Sequence, residues 1–371
     1  MIIGIEAMHA NKPNRTGVEW YSYFVIQELK KIIPQEVRVI LYTKKALVGD
    51  LGILPTNWEQ KILHWPLKKL WSQTRLACEL WRHPPDVFFA PAQLVPWYSP
   101  KNTATTIHDS AFMADKKSYW WASRWYLQFM NKLIIKKSKK IILTAKFNLE
   151  ELKKYYGVEV EKKCAVIPLA YDNNLFQKIS NIQYSILDKY KIKQPYIISV
   201  SRLEEKKNTA RLVQAFNLVK KDFPKLKLLL VGTPGVGFEN IQQAIVDSPF
   251  KSDIILPGYI ENSDLPKILS FAEVFVFPSL YEGFGIPVLE AMACGVPVVA
   301  ANNTALPEVG GKAAVYVDPL KIEEIVGGIL KILTDTNFRN SQINSGLEQV
   351  KQFSWSKTAQ LTWEEIKKDL A

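Results

Sequence analysis

Short runs of aliphatic and β-branched residues alternate with amphipathic stretches along the whole of this 371-residue chain. Such alternation is typical of parallel α/β units, in which a helix connects successive buried strands. Stretches such as 209–223, with apolar residues three and four positions apart, predict the helices. The runs predict strands at 2–8, 37–43, 86–92, 103–109, 139–145 and 164–170, and then at 196–202, 227–233, 253–259, 273–279, 296–301 and 314–318.

The chain exceeds the length at which a single hydrophobic core usually stops growing, so two domains are expected. Residues 170–194 are polar and irregular, and they separate the two sets of strands. We therefore predict two Rossmann-like, doubly wound parallel-sheet domains, at 1–175 and 176–353, facing each other across a cleft. In open sheets of this kind ligands bind beyond the carboxyl ends of the strands, so the cleft is the expected site.

Positive charge and tryptophan are concentrated in the first half. Residues 1–175 have a net charge of +11 and nine of the eleven tryptophans, whereas residues 176–371 have a net charge of +1. The three cysteines are widely spaced, which fits a reducing compartment. The first ten residues lack the basic segment of a signal peptide, and no uncharged run reaches the roughly 18 residues of a membrane span. We expect a cytoplasmic protein.

Two glutamates lie eight positions apart in the apolar, glycine- and proline-rich segment 273–301. Glu282 follows a buried strand, Gly285 favours a tight turn, and Pro287 suits the start of a helix whose first turn would carry Glu290. A carboxylate in such a segment is unfavourable unless something binds it. Because a diphosphate would repel both carboxylates, hydroxyl donors of a sugar are the expected partners. The alternative is a solvated Glu282 and a Glu290 that only favours the helix dipole.

Two cations follow the strand at 196–202. Arg202 ends this strand, and Lys207 comes directly before a helix that should start near residue 209. A guanidinium group and an ammonium group placed in this way could clamp a diphosphate. The alternative is ordinary solvation, which we expect for the neighbouring Lys206.

Polar residues also follow two strands of the first half. His108 and Asp109 end the strand at 103–109, where an imidazole can bind a sugar hydroxyl or relay a proton, with a capping or core role as the alternative. In the loop after the first strand, Thr16 can cap the next helix and Gly17 allows the backbone to approach a ligand. No GxGxxG motif follows that strand, which argues against a dinucleotide-dependent dehydrogenase.

Together these segments resemble the retaining glycosyltransferases of family four, which have the GT-B fold, and among them the bacterial mannosyltransferases. The resemblance covers essentially the whole chain, and its most specific part is the segment from Glu282 to Glu290. It also implies that the last helix, in 354–371, crosses back onto the first domain. The matching segments are RTGVEWY, HDSAF, VIPLAYDNNLF, SRLEEKKN, LLLVGTPG, PGYI, EGFGIPVLE, ACGVPVVAAN, LPEVGGKAAVYVDP and FSWSKTA.

The resemblance implies roles for individual residues. Arg202 and Lys207 would bind the donor diphosphate and neutralise the charge on the leaving group. Glu282 would bind hydroxyls of the transferred sugar, Glu290 would bind those of the ribose, and His108 would lie over the donor sugar near its reacting carbon. Further contacts would come from the amides of Phe284, Gly285 and Ile286, from backbone groups of Gly258, Tyr259 and Ile260 at the base, and from Gly17 and Asp109 on the phosphate or acceptor side.

The chemistry implied by the resemblance is transfer with retention by front-face displacement. The leaving phosphate oxygen would take the acceptor proton, while His108, Glu282, Arg202 and Lys207 would act through electrostatic stabilisation and positioning, completed by domain closure. No cofactor or metal is expected, because Arg202 and Lys207 would supply the positive charge and the chain has no Asp-x-Asp motif.

The basic, tryptophan-rich half is expected to bind the acceptor, a glycan or a lipid-linked sugar in the synthesis of a cell-surface polysaccharide or glycolipid. Interfacial helices combine apolar and aromatic residues with flanking cations. We therefore hypothesise a peripheral contact with the anionic inner face of the cytoplasmic membrane, with ordinary core packing as the alternative. The residues concerned are Leu67, Leu70, Trp71, Thr74, Cys78 and Trp81 on one helical face, Lys68, Lys69, Arg75 and Arg82 beside it, and the tryptophans and lysines of 118–140.

The donor is not fixed by the sequence, and GDP-mannose is the first expectation, followed by UDP-sugars. One alternative is a GT-B enzyme that is not a transferase, such as a sugar-nucleotide epimerase, although the pairing of Arg202 and Lys207 with Glu282 and Glu290 disfavours it. Another is a nucleic-acid-binding protein, which only the basic charge indicates, because no binding motif accompanies it.

Overall fold

A computed structural model describes residues 1–13, 15–67, 70–114, 121–179 and 184–368, and for residues 114 and 121–123 only the backbone. The chain forms two compact units. Unit 1 comprises residues 1–169 and the segment from Ser354 onward, and unit 2 comprises Ala170–Phe353. The division lies a few residues before the expected domain boundary at 175.

Unit 1 contains a seven-stranded parallel sheet in the order β3-β2-β1-β4-β5-β6-β7. Each predicted strand of this half is present, and β3 was not predicted. It is an edge strand, and its sequence WEQKI is mostly polar because one side of the strand has no neighbour to pair with. The strands are β1 (Ile2–Glu6), β2 (Arg38–Thr43), β3 (Trp58–Ile62), β4 (Val87–Ala90), β5 (Thr103–Ile107), β6 (Lys140–Leu143) and β7 (Cys164–Val166).

Unit 2 contains a six-stranded parallel sheet in the order β10-β9-β8-β11-β12-β13, which includes all of the predicted strands. In both units the strand order reverses next to the first strand of the sheet, at β1/β4 and at β8/β11. These switch points are where doubly wound sheets bind ligands. The strands are β8 (Tyr196–Val200), β9 (Lys227–Val231), β10 (Ile254–Gly258), β11 (Val274–Phe277), β12 (Val298–Ala301) and β13 (Ala314–Val317).

Helices connect the strands and cover the sheets. In unit 1 they are α1 (Gly17–Ile32), α2 (Ala77–Arg82), α3 (Ala111–Ala114), α4 (Trp121–Lys137), α5 (Lys146–Tyr156) and α14 (Trp355–Lys367). In unit 2 they are α6 (Ser185–Lys189), α7 (Thr209–Asp222), α8 (Phe238–Val246), α9 (Leu265–Ser270), α10 (Ile286–Ala293), α11 (Leu306–Gly310), α12 (Ile322–Thr334) and α13 (Thr336–Gln349).

In the core of unit 2, the apolar residues spaced three and four positions apart on the helices pack against the sheet. Side chains from α7 and α12, among them Leu212, Phe216, Ile325 and Ile329, are fully buried against the inward-facing residues of the sheet. Burial of each such side chain stabilises the fold by about 1.5–3 kcal/mol. This packing fixes the strands, so the loops at their carboxyl ends have a rigid base.

Candidate functional site

The cationic and acidic residues predicted for a donor site follow the two central strands of unit 2. The loop with Arg202 and Lys207 leaves β8, and the loop with Glu282 leaves β11. These strands are hydrogen-bonded neighbours at the switch point. Two residues widely separated in the sequence are thereby brought into contact: Nζ of Lys207 donates to Oε1 of Glu282 at 2.6 Å.

The Lys207–Glu282 pair is held in a sheltered position. The two side chains are only 15% and 12% exposed, and the Lys207 ammonium lies 5.5 Å from the centre of the Phe277 ring. Thr304 fixes the backbone on the acidic side, because its Oγ1 accepts the amide of Glu282 at 3.3 Å. An ammonium group has three donors, so one can remain on Glu282 while others bind an anion.

Arg202 is paired with a residue that was not predicted. Its Nε lies 3.2 Å from Oε1 of Glu204, and the other oxygen of that carboxylate lies 3.6 Å from Nζ of Lys206. The expectation that Lys206 is merely solvated is therefore wrong. The Arg202 side chain is 62% exposed, and its ion pair with Glu204 is made through Nε, so the two terminal nitrogens keep the fork geometry that suits a phosphate.

Asn208 ties the surrounding loops together. It caps α7 in a left-handed conformation, with φ of 60°, and its amide donates to the carbonyls of Pro278, after β11, and Pro319, after β13. Gly232 brings the loop after β9 close as well, since a Cβ there would overlap the carbonyl oxygen of Ser201. The loop that carries Arg202 and Lys207 is thus fixed on both sides.

Glu290 lies on α10, which begins after the glycine turn as predicted, with Pro287 in its first turn. Glu290 itself comes one position later than predicted, just beyond that first turn, so the helix dipole favours its charge less than expected. Burial raises the pKa of the half-buried Glu290 carboxyl to about 8, and the carboxylate of Asp172 acts in the same direction. Asp172 was not assigned a role, although it lies in the quoted segment VIPLAYDNNLF.

The other predicted donor contacts occupy the same edge of unit 2. Gly285 has φ of 109° and packs so tightly that a Cβ would lie 2.5 Å from Leu306. The ring of Phe284 is buried edge-on against Phe353, and Ile286 opens α10, whose first amides have no partner within the helix. Gly258, Tyr259 and Ile260 leave the edge strand β10, with Tyr259 59% exposed and Ile260 buried.

In unit 1, His108 follows β5 and is almost completely buried. Its Nε2 lies 2.9 Å from the carbonyl of Pro91, after β4, and burial lowers the pKa of the ring, which favours the neutral form. The Asp109 carboxylate accepts the amide of Ala111 at the start of α3, as in a capping role. Gly17 is the first residue of α1, Thr16 caps that helix, and a Cβ at Gly17 would meet no protein atom.

Glu6 and His9 form a further pair at this edge of unit 1 that was not predicted. Glu6 ends β1 and is fully buried. Its Oε1 accepts the backbone amides of Met8 and His9 at 2.8 and 3.2 Å, and its Oε2 lies 3.0 Å from Nδ1 of the His9 ring. The only signal in the sequence is a carboxylate at the end of a buried strand, three residues before a histidine.

In unit 1 the structure differs from the predicted interfacial face at Trp71. Trp71 belongs to the core, with Nε1 donating to the carbonyl of Leu63. It precedes the helical segment, which begins at Ser72 with a π-helical turn instead of at Pro66 as one regular helix. Lys68, Lys69 and residues 115–120 lie outside the described residues. The aromatic side chains that are exposed include Trp81, Trp97, Trp125 and Phe129.

Within the described ranges, no group of three or more acidic, histidine or cysteine side chains is placed to hold a metal ion. Nor does any helix in the described part of the chain combine the length and hydrophobicity needed to cross a bilayer.

The chain is similar to known proteins along most of its length. The family model described as glycosyl transferases group 1 matches residues 186–349. The O-antigen chain mannosyltransferase B of Escherichia coli is 31% identical over 300 residues, which are 80% of this chain and 75% of that protein. The serotype-specific mannosyltransferase WbdA of Escherichia coli is 28% identical over 74% of this chain, which spans only 34% of the length of WbdA.

Solved structures confirm the fold class. The crystal structure of HepE from Anabaena in complex with UDP-glucose matches with a TM-score of 0.78 at 17% identity, covering 99% of this chain and all of that one. At this identity the likeness shows the fold, two Rossmann-like domains of the GT-B class, and nothing further about the ligand.

Proposed function

Because this chain belongs to the glycosyl transferases group 1 family, we propose that it transfers a mannosyl group from GDP-mannose to a glycan or lipid-linked acceptor in the synthesis of a cell-surface polysaccharide. The observation that carries the proposal is the contact between Lys207 and Glu282 at the β8/β11 switch point, with Arg202 in the same loop and Glu290 on α10. The choice of mannose is supported by the two mannosyltransferases to which the chain is similar.

The residues of this edge suit the parts of a nucleotide-sugar. The terminal nitrogens of Arg202 and the remaining donors of Lys207 would bind the diphosphate and stabilise the charge that develops on it. Glu282, held by Lys207, would accept sugar hydroxyls, and Glu290 would accept ribose hydroxyls.

We further propose that transfer occurs with retention and without a metal ion. Glu282 is already paired with Lys207, which disfavours it as a covalent nucleophile. A front-face displacement in which the departing phosphate oxygen takes the acceptor proton needs no additional base. The cations Arg202 and Lys207 would take the place of a metal ion at the diphosphate, so activity should persist in excess EDTA.

The test is a thermal-shift screen against GDP-mannose, UDP-glucose and related nucleotide-sugars, followed by product analysis. At 100 times its dissociation constant the true donor should stabilise the protein by about 2.7 kcal/mol. Lys207→Ala should reduce this shift, whereas Lys251→Ala, at an exposed lysine of the same unit, should leave it unchanged. A wild-type protein that none of the nucleotide-sugars stabilises would contradict the proposal.

Two other readings are not favoured. An epimerase would convert its nucleotide-sugar without an acceptor, whereas a transferase releases free GDP or UDP in proportion to acceptor consumed. A nucleic-acid-binding protein would be indicated by salt-sensitive RNA binding together with a failure to bind any nucleotide-sugar.

A second proposal concerns the membrane. The backbone of Trp97 joins the π-helical turn that precedes α2 to the end of α4, because its amide donates to Oε1 of Gln73 at 2.8 Å and its carbonyl accepts the ammonium of Lys137. The exposed rings of Trp81 and Trp125 belong to these same two helices. We propose that these exposed aromatic side chains, together with nearby cations, contact an anionic membrane. The cations are Arg82, Lys132, Lys136 and Lys137.

Sedimentation with phosphatidylglycerol vesicles at low salt tests the membrane proposal. The wild-type protein should bind, and the double variant Trp97→Ala/Trp125→Ala should bind at least tenfold more weakly. Tyr184→Ala removes an aromatic ring that is 67% exposed in unit 2 and should have no effect. An absence of wild-type binding at low salt would contradict the proposal.

A further inference from the structure

The Glu6–His9 pair leaves one ring nitrogen of His9 for a ligand. Glu6 holds Nδ1, so Nε2 is the nitrogen that can make a further contact, and no described residue bonds it. The His9 side chain is 20% exposed, although the carboxylate that orients it is completely buried. A histidine oriented in this way by a buried carboxylate presents its second nitrogen in a fixed direction.

His108 shows the converse arrangement. Its Nε2 is bonded to the carbonyl of Pro91, and its Nδ1 has no partner among the described residues. The two rings lie in one neighbourhood, since His9 follows β1, Pro91 follows the adjacent β4, and a charge on His9 lowers the pKa of His108. The switch point of this sheet thus carries two imidazoles, each with one unbonded nitrogen.

We propose that His9, oriented by Glu6, binds a hydroxyl group of the acceptor sugar. The inference rests on the proposed glycosyl transfer. An imidazole nitrogen can donate to a hydroxyl when protonated and accept from it when not, so the contact does not depend on the charge of the ring. The residues assigned to the charged parts of the donor lie in unit 2, and the more buried His108 is assigned to the donor sugar. The more exposed His9 ring is therefore assigned to the acceptor.

The chain offers variants that separate binding from structure. His9→Asn retains an amide nitrogen near the position of Nδ1, so the bond to Glu6 can persist while Nε2 is lost. His9→Gln instead places an amide nitrogen near the position of Nε2. His83 serves as the matched control, because its Nδ1 lies 2.8 Å from Oε1 of Glu79 in a similar pair on the same unit, at the end of α2.

Steady-state kinetics with varied acceptor, together with donor affinity and slow donor hydrolysis in the absence of acceptor, provide the readouts. His9→Asn should raise the KM for the acceptor about tenfold, the value of one lost hydrogen bond, and leave donor affinity and hydrolysis unchanged. His9→Gln should recover part of this loss, and His83→Asn should show none.

Two results would overturn the inference while the proposed function stands: an unchanged acceptor KM in His9→Asn, or a change in donor hydrolysis equal to the change in transfer. The second would assign His9 to the donor sugar. If the melting curve shows that His9→Asn is unfolded, the His9→Gln variant is used instead, and a weakened donor affinity in that variant would likewise assign His9 to the donor. A wild-type protein without transferase activity would contradict the proposed function and this inference together.

Discussion

Replacing Glu290 with glutamine should stabilise unit 2 at alkaline pH and weaken donor binding. In the folded protein the pKa of Glu290 is about 8 instead of its ordinary 4.5, because the carboxyl group is buried beside Asp172. The folded chain therefore retains a proton that the unfolded chain releases. The stabilisation from this proton is complete below pH 4.5 and is lost as the pH rises to about 8. Glutamine does not ionise and avoids that loss.

The magnitude follows from the two pKa values. Each tenfold change in proton affinity corresponds to roughly 1.4 kcal/mol, so the free energy of unfolding can fall by at most about 5 kcal/mol between acid and alkaline pH. Partial exposure of the carboxyl group reduces this loss to about 2 kcal/mol. For a domain of this size each kcal/mol corresponds to about 2–4 °C in Tm. Glu290→Gln should thus melt about 4–8 °C higher at pH 9 and within about 1 °C of the wild type at pH 5.

The assay is differential scanning calorimetry at both pH values, with Glu239→Gln as the control at an exposed glutamate of the same unit. Isothermal titration with the donor nucleotide-sugar gives the second readout. If ionised Glu290 accepts ribose hydroxyls, wild-type affinity should rise between pH 7 and pH 9, whereas the affinity of Glu290→Gln should be weaker and flat. An equal change of Tm at pH 5 and pH 9, or a destabilised variant at pH 9, would refute the reasoning.

Four further results are expected. Lys207→Met should lower kcat by about 10²–10³, since it removes a positive charge from the leaving group, and single-turnover kinetics would show the loss in the chemical step. Gly232→Ala should destabilise unit 2 by several kcal/mol in urea unfolding, on the order of a core cavity mutation, because its φ of 141° and the carbonyl of Ser201 leave no room for a Cβ. Gly258→Ala, at φ of 77° in open space, should cost about 1 kcal/mol. Activity should be unchanged by EDTA, and a complete loss that Mg²⁺ restores would contradict the metal-independent proposal.

The sequence was sufficient for the sheets because their strands are buried on both faces and therefore consist of continuous apolar runs. The polar edge strand β3 lacks this signal and was missed. The contact between Lys207 and Glu282 was not predicted as such, but both residues were selected because they follow buried strands. Which strands become neighbours is a property of the topology, and the sequence does not state it.

Other features of the candidate site depend on side-chain partners that no local pattern reveals. Glu204 pairs with Arg202 across only two positions, yet a loop that contains two glutamates followed by two lysines allows several pairings. Glu6 looks like an ordinary solvated residue at the end of an apolar strand until its burial is known. Trp71 was assigned to a surface because a regular helix starting near Pro66 was assumed, whereas the helical segment begins only at Ser72 and Trp71 packs into the core.

The two hydrogen bonds of the Asn208 amide have a consequence for how this enzyme could change its substrate. These bonds hold the loops after β8, β11 and β13 in place, so ligand binding does not need to restrict the conformational freedom of these loops. A mutation in one loop should, however, disturb the other two. The loop at 258–260 belongs to the edge strand and has open space around Gly258. If this loop contacts the nucleobase, as the family resemblance implies, preference for one base over another should evolve, or be engineered, there without disturbing the loops that Asn208 joins.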